Sequence, residues 1–351
     1  MQKQFPLRVL PVLLWCILLG GCESIGFYQQ ALFGQIEILI KREPIRNIVS
    51  SVETAPPLKA RLILVESVRE YAENSLSFPV GNSYATYVDT GRPYVVWNVF
   101  AAPEFSLDAS QWCFPIAGCV SYRGYFHKEQ ADSLAAKLKS EGNDVYVGGV
   151  SAYSTLGWFS DPVLNTFLKR SESKLAALIF HELAHKILYL PGDSMFNESF
   201  ATAVENEALR RWLNDREQPQ AYQEALDEQV RRAEFVSLVD SYKVRLRSLY
   251  EQQLGDTVKR ERKRDLIQEL RDDYRVLKSN WHGHADFDAW IASDINNAKI
   301  ATISTYYDLV PAFNRLLKES GGNLQIFLDR CKDIADKDEA ERNRLLGWID
   351  N

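Results

Sequence analysis

The sequence predicts an α+β fold that is predominantly helical, with one small β-sheet and a long helical hairpin. Three observations point to it. Residues 218–280 carry apolar side chains at helical spacing on a charged background, with one break. Residues 78–126 change character and gather tyrosine, valine, tryptophan and phenylalanine in short runs, the composition of strands. Residues 171–212 then hold two further helical patterns around a Pro191-Gly192 stop, and the first contains His181-Glu182-Leu183-Ala184-His185.

The chain has 351 residues, of which 46% are hydrophobic. That is the composition of a globular protein with room for a large core or two subdomains. A net charge of -6 argues against nucleic acid as a partner. The first residues read as an export signal: Lys3 and Arg8 precede a short apolar run, Leu10 to Leu19, interrupted only by Pro11 and too short for a membrane span. Leu19-Gly20-Gly21-Cys22 resembles a bacterial lipoprotein signal, in which cleavage before Cys22 leaves that cysteine to carry the lipid. An ordinary signal peptide or an uncleaved anchor are the alternatives. The expected location is the bacterial cell envelope, lipid-anchored and facing the periplasm, with Glu23 after the cysteine favouring the outer membrane. The expected organisation is a leader over 1–21, then helices, small sheet and catalytic core over 22–215, then the hairpin and a C-terminal helical subdomain over 216–351.

In order along the chain, residues 27–75 read as two helices. Ala31, Ile36, Leu39 and Ile40 form the apolar stripe of the first; Leu62, Val65, Val68 and Tyr71 form that of the second, with Ala55-Pro56-Pro57 between them. Tyr84, Tyr87, Tyr94 to Trp97, Val99 and Phe100 mark strands, with Gly91-Arg92-Pro93 as a turn. Cys113 and Cys119 bracket a five-residue loop that a disulfide could close after export. A metal-binding pair is the weaker reading, since only His127 lies near and CxxC spacing is absent. Cys331 is then left unpaired. Lys128 to Ser140 reads as a helix and Asp144 to Val150 as a strand, whose Gly148-Gly149 indicates either a bulge or close approach of a substrate backbone. In the hairpin, Leu226, Val230, Ala233, Phe235 and Val239, then Leu246, Leu249, Tyr250 and Leu254, precede a break at Gly255-Asp256. Leu266, Leu270, Tyr274 and Leu277 form the stripe of the return helix. The basic run Lys259 to Arg264 is expected as a solvated tip. Trp281 to Asp286 reads as a loop with His282 and His284 at the surface, and Asn296 to Leu309 as a helix ending before Pro311.

The chemistry concentrates in one place. On a helix, positions i and i+4 share a face, so His181 and His185 can reach one metal ion while Glu182 lies beside its open coordination position. With five histidines in the chain, such a pair flanking a glutamate is rare by chance. Leu175, Leu178, Ile179 and Leu183 supply the helix with an apolar face, and Ser171 and Ser173 are candidate N-caps. A catalytic zinc takes three protein ligands and a water. Glu198, which opens the second amphipathic segment Phe196 to Trp212, is the expected third ligand. Glu205, about two turns later on the same face, is either an alternate ligand or an acceptor for an imidazole N–H.

His181-Glu182-x-x-His185 followed by Asn197-Glu198-Ser199-Phe200-Ala201 resembles the gluzincin metallopeptidases, whose aminopeptidase branch sets its third zinc ligand in an Asn-Glu-x-x-Ala context. More closely, the chain resembles the predicted aminopeptidases of bacterial envelopes. The resemblance includes Trp112 to Pro115, Tyr122 to Phe126, Asp144 to Leu156 and Asn296-Asn297-Ala298, and extends over most of the chain from about residue 23. Two departures stand out. Only the twelve residues 186–197 separate His185 from Glu198, and no Gly-Ala-Met-Glu-Asn segment is present to bind a substrate's free amine. The resemblance implies a zincin-like catalytic core, a Zn2+ cofactor, a peptide substrate and metal-assisted hydrolysis. It also implies Glu182 as general base and Tyr306 as the hydroxyl that stabilises the tetrahedral intermediate. An envelope endopeptidase, or a lipid-anchored binding or assembly protein with a structural zinc site, are the competing readings.

Overall fold

The computed structural model describes residues 26–114, 118–152, 160–303 and 309–347. Helix α1 covers residues 26–40. Strand β1 (Glu43–Pro44) and helix α2 (Ile45–Ser50) lead to α3 (Pro56–Asn74). The Pro56-Pro57 pair occupies the first turn of α3, where a missing N–H leaves no intrahelical bond unmade. Strands β2 (Thr86–Val88), β3 (Val96–Pro103), β4 (Trp112–Phe114), β5 (Gly118–Val120) and β6 (Arg123–Tyr125) follow, then α4 (Lys128–Ser140), β7 (Asn143–Val150), β8 (Val163–Leu164) and α5 (Asn165–Leu168). The rest is helical: α6 (Glu172–Ile187), α7 (Ser194–Asp215), α8 (Pro219–Glu251), α9 (Asp256–Ser279), α10 (Asp288–Ala292), α11 (Asn297–Ala301), α12 (Val310–Glu319), α13 (Leu324–Ala335) and α14 (Glu339–Leu346). The fold is α+β and predominantly helical, with small sheets.

The strand formers build three small units where one sheet was expected. One sheet has the order β6-β3-β7 and is antiparallel throughout; a second has the order β1-β2-β8; β4 and β5 make a two-stranded ribbon. In that ribbon Cys113 lies opposite Cys119 and the two are joined by a disulfide. The β3–β7 register runs unbroken from Val96↔Val150 to Pro103↔Asn143, so Gly148 and Gly149 mark no bulge. A Cβ on Gly149 would lie 2.4 Å from the Tyr94 ring, and one on Gly148 would lie 3.0 Å from the Tyr146 ring. The protein's own tyrosines occupy the space those glycines leave.

The main apolar core packs α3, α6, α7, α12 and α13 together, with Phe196, Phe200, Phe313 and Phe327 in mutual ring contact. A second cluster belongs to the hairpin α8–α9 and the short helices α10 and α11. Its partners pair antiparallel: Trp281 Nε1 donates to Glu234, Tyr242 Oη to Asp273, and Arg245 meets Glu269. A third cluster seats α4 on the β6-β3-β7 sheet.

Three further expectations are corrected. The stripe read for α1 is not its core face: Gln30, Gly34 and Ile38 are buried, while Ile36 and Ile40 are exposed. The helix expected from Asn296 to Leu309 ends at Ala301, where the Thr302 hydroxyl bonds back to the Lys299 carbonyl. The basic run Lys259 to Arg264 is not a freely solvated tip. Arg260 forks onto Glu104, and the buried Lys263 ammonium donates to Asp144 at 2.6 Å and to the Glu104 carbonyl at 2.8 Å. Asn297 joins the same knot, donating its backbone N–H to Asp144 and its side chain to the Glu104 carbonyl while accepting from Tyr250 Oη. Hairpin, α11 and sheet meet at these few polar groups. Lys263→Ala leaves Asp144 and the Glu104 carbonyl short of a buried donor, and should cost on the order of 2 kcal/mol. Arg260→Ala, at the exposed rim, should change stability little. Urea denaturation of both variants measures the difference.

Candidate metal centre

The site is built by two antiparallel helices. α6 starts at Ser171, whose hydroxyl accepts from the Lys174 N–H, and buries Leu175, Ile179, Phe180 and Leu183 in the main core. That burial fixes the rotation of the helix and turns His181 and His185 toward α7, with ring centroids 5.0 Å apart. α7 starts at Asp193, whose carboxylate accepts from the Phe196 N–H and also meets Arg342 of α14 at 2.9 Å. Between the helices, the fully buried Asn197 accepts from the Leu190 N–H and donates to the Leu190 carbonyl, both at 2.7 Å. This two-way clamp holds the turn against the first coil of α7 and so sets the position of the next residue, Glu198.

Glu198 and Glu205 stand two turns apart on α7 and approach opposite edges of one imidazole. His181 Nε2 lies 3.3 Å from Glu198 Oε2, and His181 Nδ1 lies 2.9 Å from Glu205 Oε2. His185 Nε2 stands 3.7 Å from Glu198 Oε1, beyond hydrogen-bond range. One donor atom each from His181, His185 and Glu198 falls within 4.8 Å of the others. The Glu198 side chain keeps 38% of its exposure, so the cluster opens to solvent on that side.

The electrostatics fit an ion. Burial alone would lower the basicity of His181, but the hydrogen bonds it donates to the Glu198 and Glu205 carboxylates outweigh it and raise its pKa to about 10. Burial pushes the His185 pKa down, and the neighbouring His181 charge adds to this. Burial would raise the Glu198 carboxyl, but the His181 hydrogen bond and both imidazole charges hold it below its ordinary value. His185 Nδ1 is buried with no hydrogen-bond partner among the described residues. A buried imidazole left this way is costly. An ion among the three donors would take the His185 Nε2 that faces Glu198, which leaves Nδ1 to carry the ring proton.

The structure thus brings His181, Glu182, His185, Glu198 and Glu205 together from the sequence-level candidates. Glu205 sits behind His181, on the far edge of the ring from the cluster. Tyr306 and Cys22 lie outside the described residues. His282 and His284 are exposed in the loop after α9. Two contributors escape sequence reasoning. Asn197 reads as part of a motif, yet its side chain serves the turn. Tyr84 is buried with φ 58, a left-handed backbone conformation rare for a bulky residue. Burial, then the charges of Glu182 and Asp161, raise its hydroxyl pKa well above the ordinary value, which places it in the electrostatic field of Glu182. No local pattern announces a tyrosine in that conformation.

The family model described as "Putative aminopeptidase" matches residues 26–346. The chain belongs to this family. No curated protein matches the chain, and no solved structure does. Membership in an aminopeptidase family suggests peptide hydrolysis, and its match covers both helices of the cluster, the sheet and the hairpin together.

The protonation pattern has a measurable consequence. Near neutral pH without metal, His181 is protonated, His185 is neutral and Glu198 is ionised, so loading a divalent ion must displace one proton. Zinc binding should release about one proton per ion, and its apparent affinity should rise about tenfold per pH unit through the neutral range. Calorimetry in buffers of differing ionisation enthalpy counts the protons. A release near zero or near two would contradict the assignment.

Proposed function

We propose that this chain is a zinc-dependent peptidase of the bacterial cell envelope, acting as an aminopeptidase, with α6 and α7 as its zincin-like catalytic core. The observation that carries the reading is the convergence of His181, His185 and Glu198, with Glu182 next to His181 on the same helix, in a chain of an aminopeptidase family. The donor set favours zinc: two imidazoles and one carboxylate suit it, whereas calcium and magnesium prefer oxygen cages.

In this reading His181, His185 and Glu198 hold the ion, and Glu205 fixes the tautomer and orientation of His181 by accepting its Nδ1–H. Zinc, when bound, supplies Lewis acidity toward water and toward the scissile carbonyl. Glu182, next to His181 on the same helix, takes the proton of the attacking water and delivers it to the leaving amine. Asn197 keeps Glu198 in place through the turn. The Tyr306 hydroxyl donates to the oxyanion of the tetrahedral intermediate. The substrate is a peptide, and nucleic acid is not a partner. The envelope location rests on the Lys3 to Cys22 leader, with lipid on Cys22, and is supported by the Cys113–Cys119 disulfide, a bond that persists in oxidising compartments.

Removal of a ligand should be distinguishable from removal of its support. His185→Ala and Glu198→Ala should lose stoichiometric zinc, whereas Glu205→Ala should keep the site with affinity lowered about 10- to 100-fold. Metal analysis after dialysis against a graded chelator separates the two classes.

Glu182→Gln keeps the size of the side chain and removes the base. It should retain zinc and fold while losing hydrolysis of unblocked peptides by roughly 10²- to 10⁴-fold or more. Tyr306→Phe should cost about 10²- to 10³-fold, as for one oxyanion donor. Full turnover by zinc-loaded Glu182→Gln protein would sink the peptidase mechanism.

A further inference from the structure

Helix α1 carries much of its apolar surface outward. Toward the body of the protein it turns Ile38, buried in the main core, and the partly buried Phe27, together with polar or small residues. Gln30 donates to the Gly124 carbonyl and accepts from the Phe126 N–H, both at 3.1 Å, and so pairs with the end of β6 like an extra strand residue. A Cβ on Gly34 would lie 2.2 Å from the Phe126 ring, so only glycine lets the helix come this close. Glu37 reaches Arg92 at 3.4 Å and Lys41 at 2.7 Å. The opposite face is greasy: Leu32 is 60% exposed, Phe33 66%, Ile36 36% and Ile40 78%. At about 100° per residue these four fall within one arc of roughly 100°, a stripe about 12 Å long. A helix on a protein in water has the opposite arrangement, and contiguous exposed apolar patches mark contact surfaces.

The chain just before α1 says what covers that stripe. Leu10 to Leu19 is apolar, Cys22 follows, and α1 is helical from residue 26. Four residues of extended chain reach at most ~14 Å. Whether lipid on Cys22 or the apolar run itself holds the protein, α1 begins within that distance of the bilayer surface. Exposed Lys41, paired with Glu37, follows directly on Ile40 at the end of the stripe.

We propose that α1 lies in the plane of the membrane, with Leu32, Phe33, Ile36 and Ile40 inserted at the boundary between headgroups and acyl chains. The anchor then does more than tether. Because Gln30, Gly34 and Glu37 clamp α1 to β6 and Arg92, insertion of its outer face fixes the orientation of the catalytic body on the bilayer. This rests on the envelope-anchored reading above, and adds to it a rigid second contact.

The test uses the full anchored chain in vesicles of phosphatidylethanolamine and phosphatidylglycerol. Cysteines are introduced singly as Phe33→Cys, Ile36→Cys and, as a control on α8, Val244→Cys, which is 65% exposed. Of the five native cysteines, Cys16 leaves with the leader and Cys22 carries the lipid in the anchored form, Cys113 and Cys119 are in a disulfide and Cys331 is buried; the chain without an added cysteine sets the labelling background. An environment-sensitive fluorophore on each site is quenched by lipids carrying a nitroxide near the headgroup. The labels at 33 and 36 should be quenched roughly threefold more than the label at 244, with blue-shifted emission. Equal quenching at all three sites in protein that floats with the vesicles would overturn the in-plane helix and leave the anchor intact. Protein that does not float at all would remove the anchor, and this proposal with it. A blue shift at 33 and 36 that grows with protein concentration but resists the quenching lipid would instead assign the stripe to a second copy of the chain, and would equally overturn it.

Discussion

Both nitrogens of one half-buried imidazole are met by carboxylates from a single facing helix. The site depends on that constraint. Glu198 and Glu205 can bracket His181 only if α7 runs antiparallel to α6, at the right depth and rotation. Depth comes from the Asn197 clamp on the turn and rotation from Phe196, Phe200 and Val204, all buried in the main core. Apolar packing does most of the positioning and the polar contacts select the final register, since a slip of one residue on α7 would swing both carboxylates off the ring. The same pairing strands His185, whose buried Nδ1 finds no hydrogen bond among the described residues. Two imidazoles and two carboxylates beside an apolar core are poor material for stability alone, and three of them could hold a metal ion.

Much of this was legible because the signals were local. The i,i+4 histidines, the Ser171 cap, the Pro191-Gly192 stop and the spacing of Glu198 and Glu205 each lie within a few turns of helix, and helical geometry carries them directly into space. The hairpin was legible for the same reason, with Phe235, Val239, Leu246 and Leu249 buried before Gly255, although Val230 and Ala233 of the expected stripe are exposed. What escaped was set by contacts distant in sequence. Lys263 looked like part of a charged tip, yet Asp144 and the Glu104 carbonyl bury it, and they are over a hundred positions away. Gly148 and Gly149 suggested a bulge or a substrate's approach, while Tyr94 and Tyr146 fill the space. The helix drawn from Asn296 to Leu309 stopped at Ala301 because Asn297 and Thr302 spend their hydrogen bonds on tertiary and capping partners. For α1, hydrophobicity pointed to the wrong face, since Gln30, Gly34 and Glu37 are drawn inward by partners on β6, Phe126 and Arg92 that lie far off in sequence.

The molecule divides its tasks by layer. The α6–α7 pair holds the His181, His185 and Glu198 cluster; the β6-β3-β7 sheet, with α4 on one side and α1 along β6, forms the base; the hairpin is pinned to that base through Asp144, Lys263 and Asn297. The disulfide-closed ribbon β4–β5 is a local brace in the same region of the chain. The main cluster also takes in Val95, Val96 and Phe126 from the sheet region and Ile38 from α1, so the base and the α6–α7 pair share apolar as well as polar contacts.

The central claim is that one ion sits among His181, His185 and Glu198 while Glu205 stays behind His181. Anomalous diffraction at the zinc edge from crystals of the zinc-loaded protein tests it most directly. The account requires one peak about 2.0–2.1 Å from the Nε2 atoms of both histidines and in contact with the Glu198 carboxylate. His181 Nδ1 should still face Glu205. A peak ligated by Glu205 with the His181 ring turned over, or density elsewhere with this cluster unchanged, would contradict it.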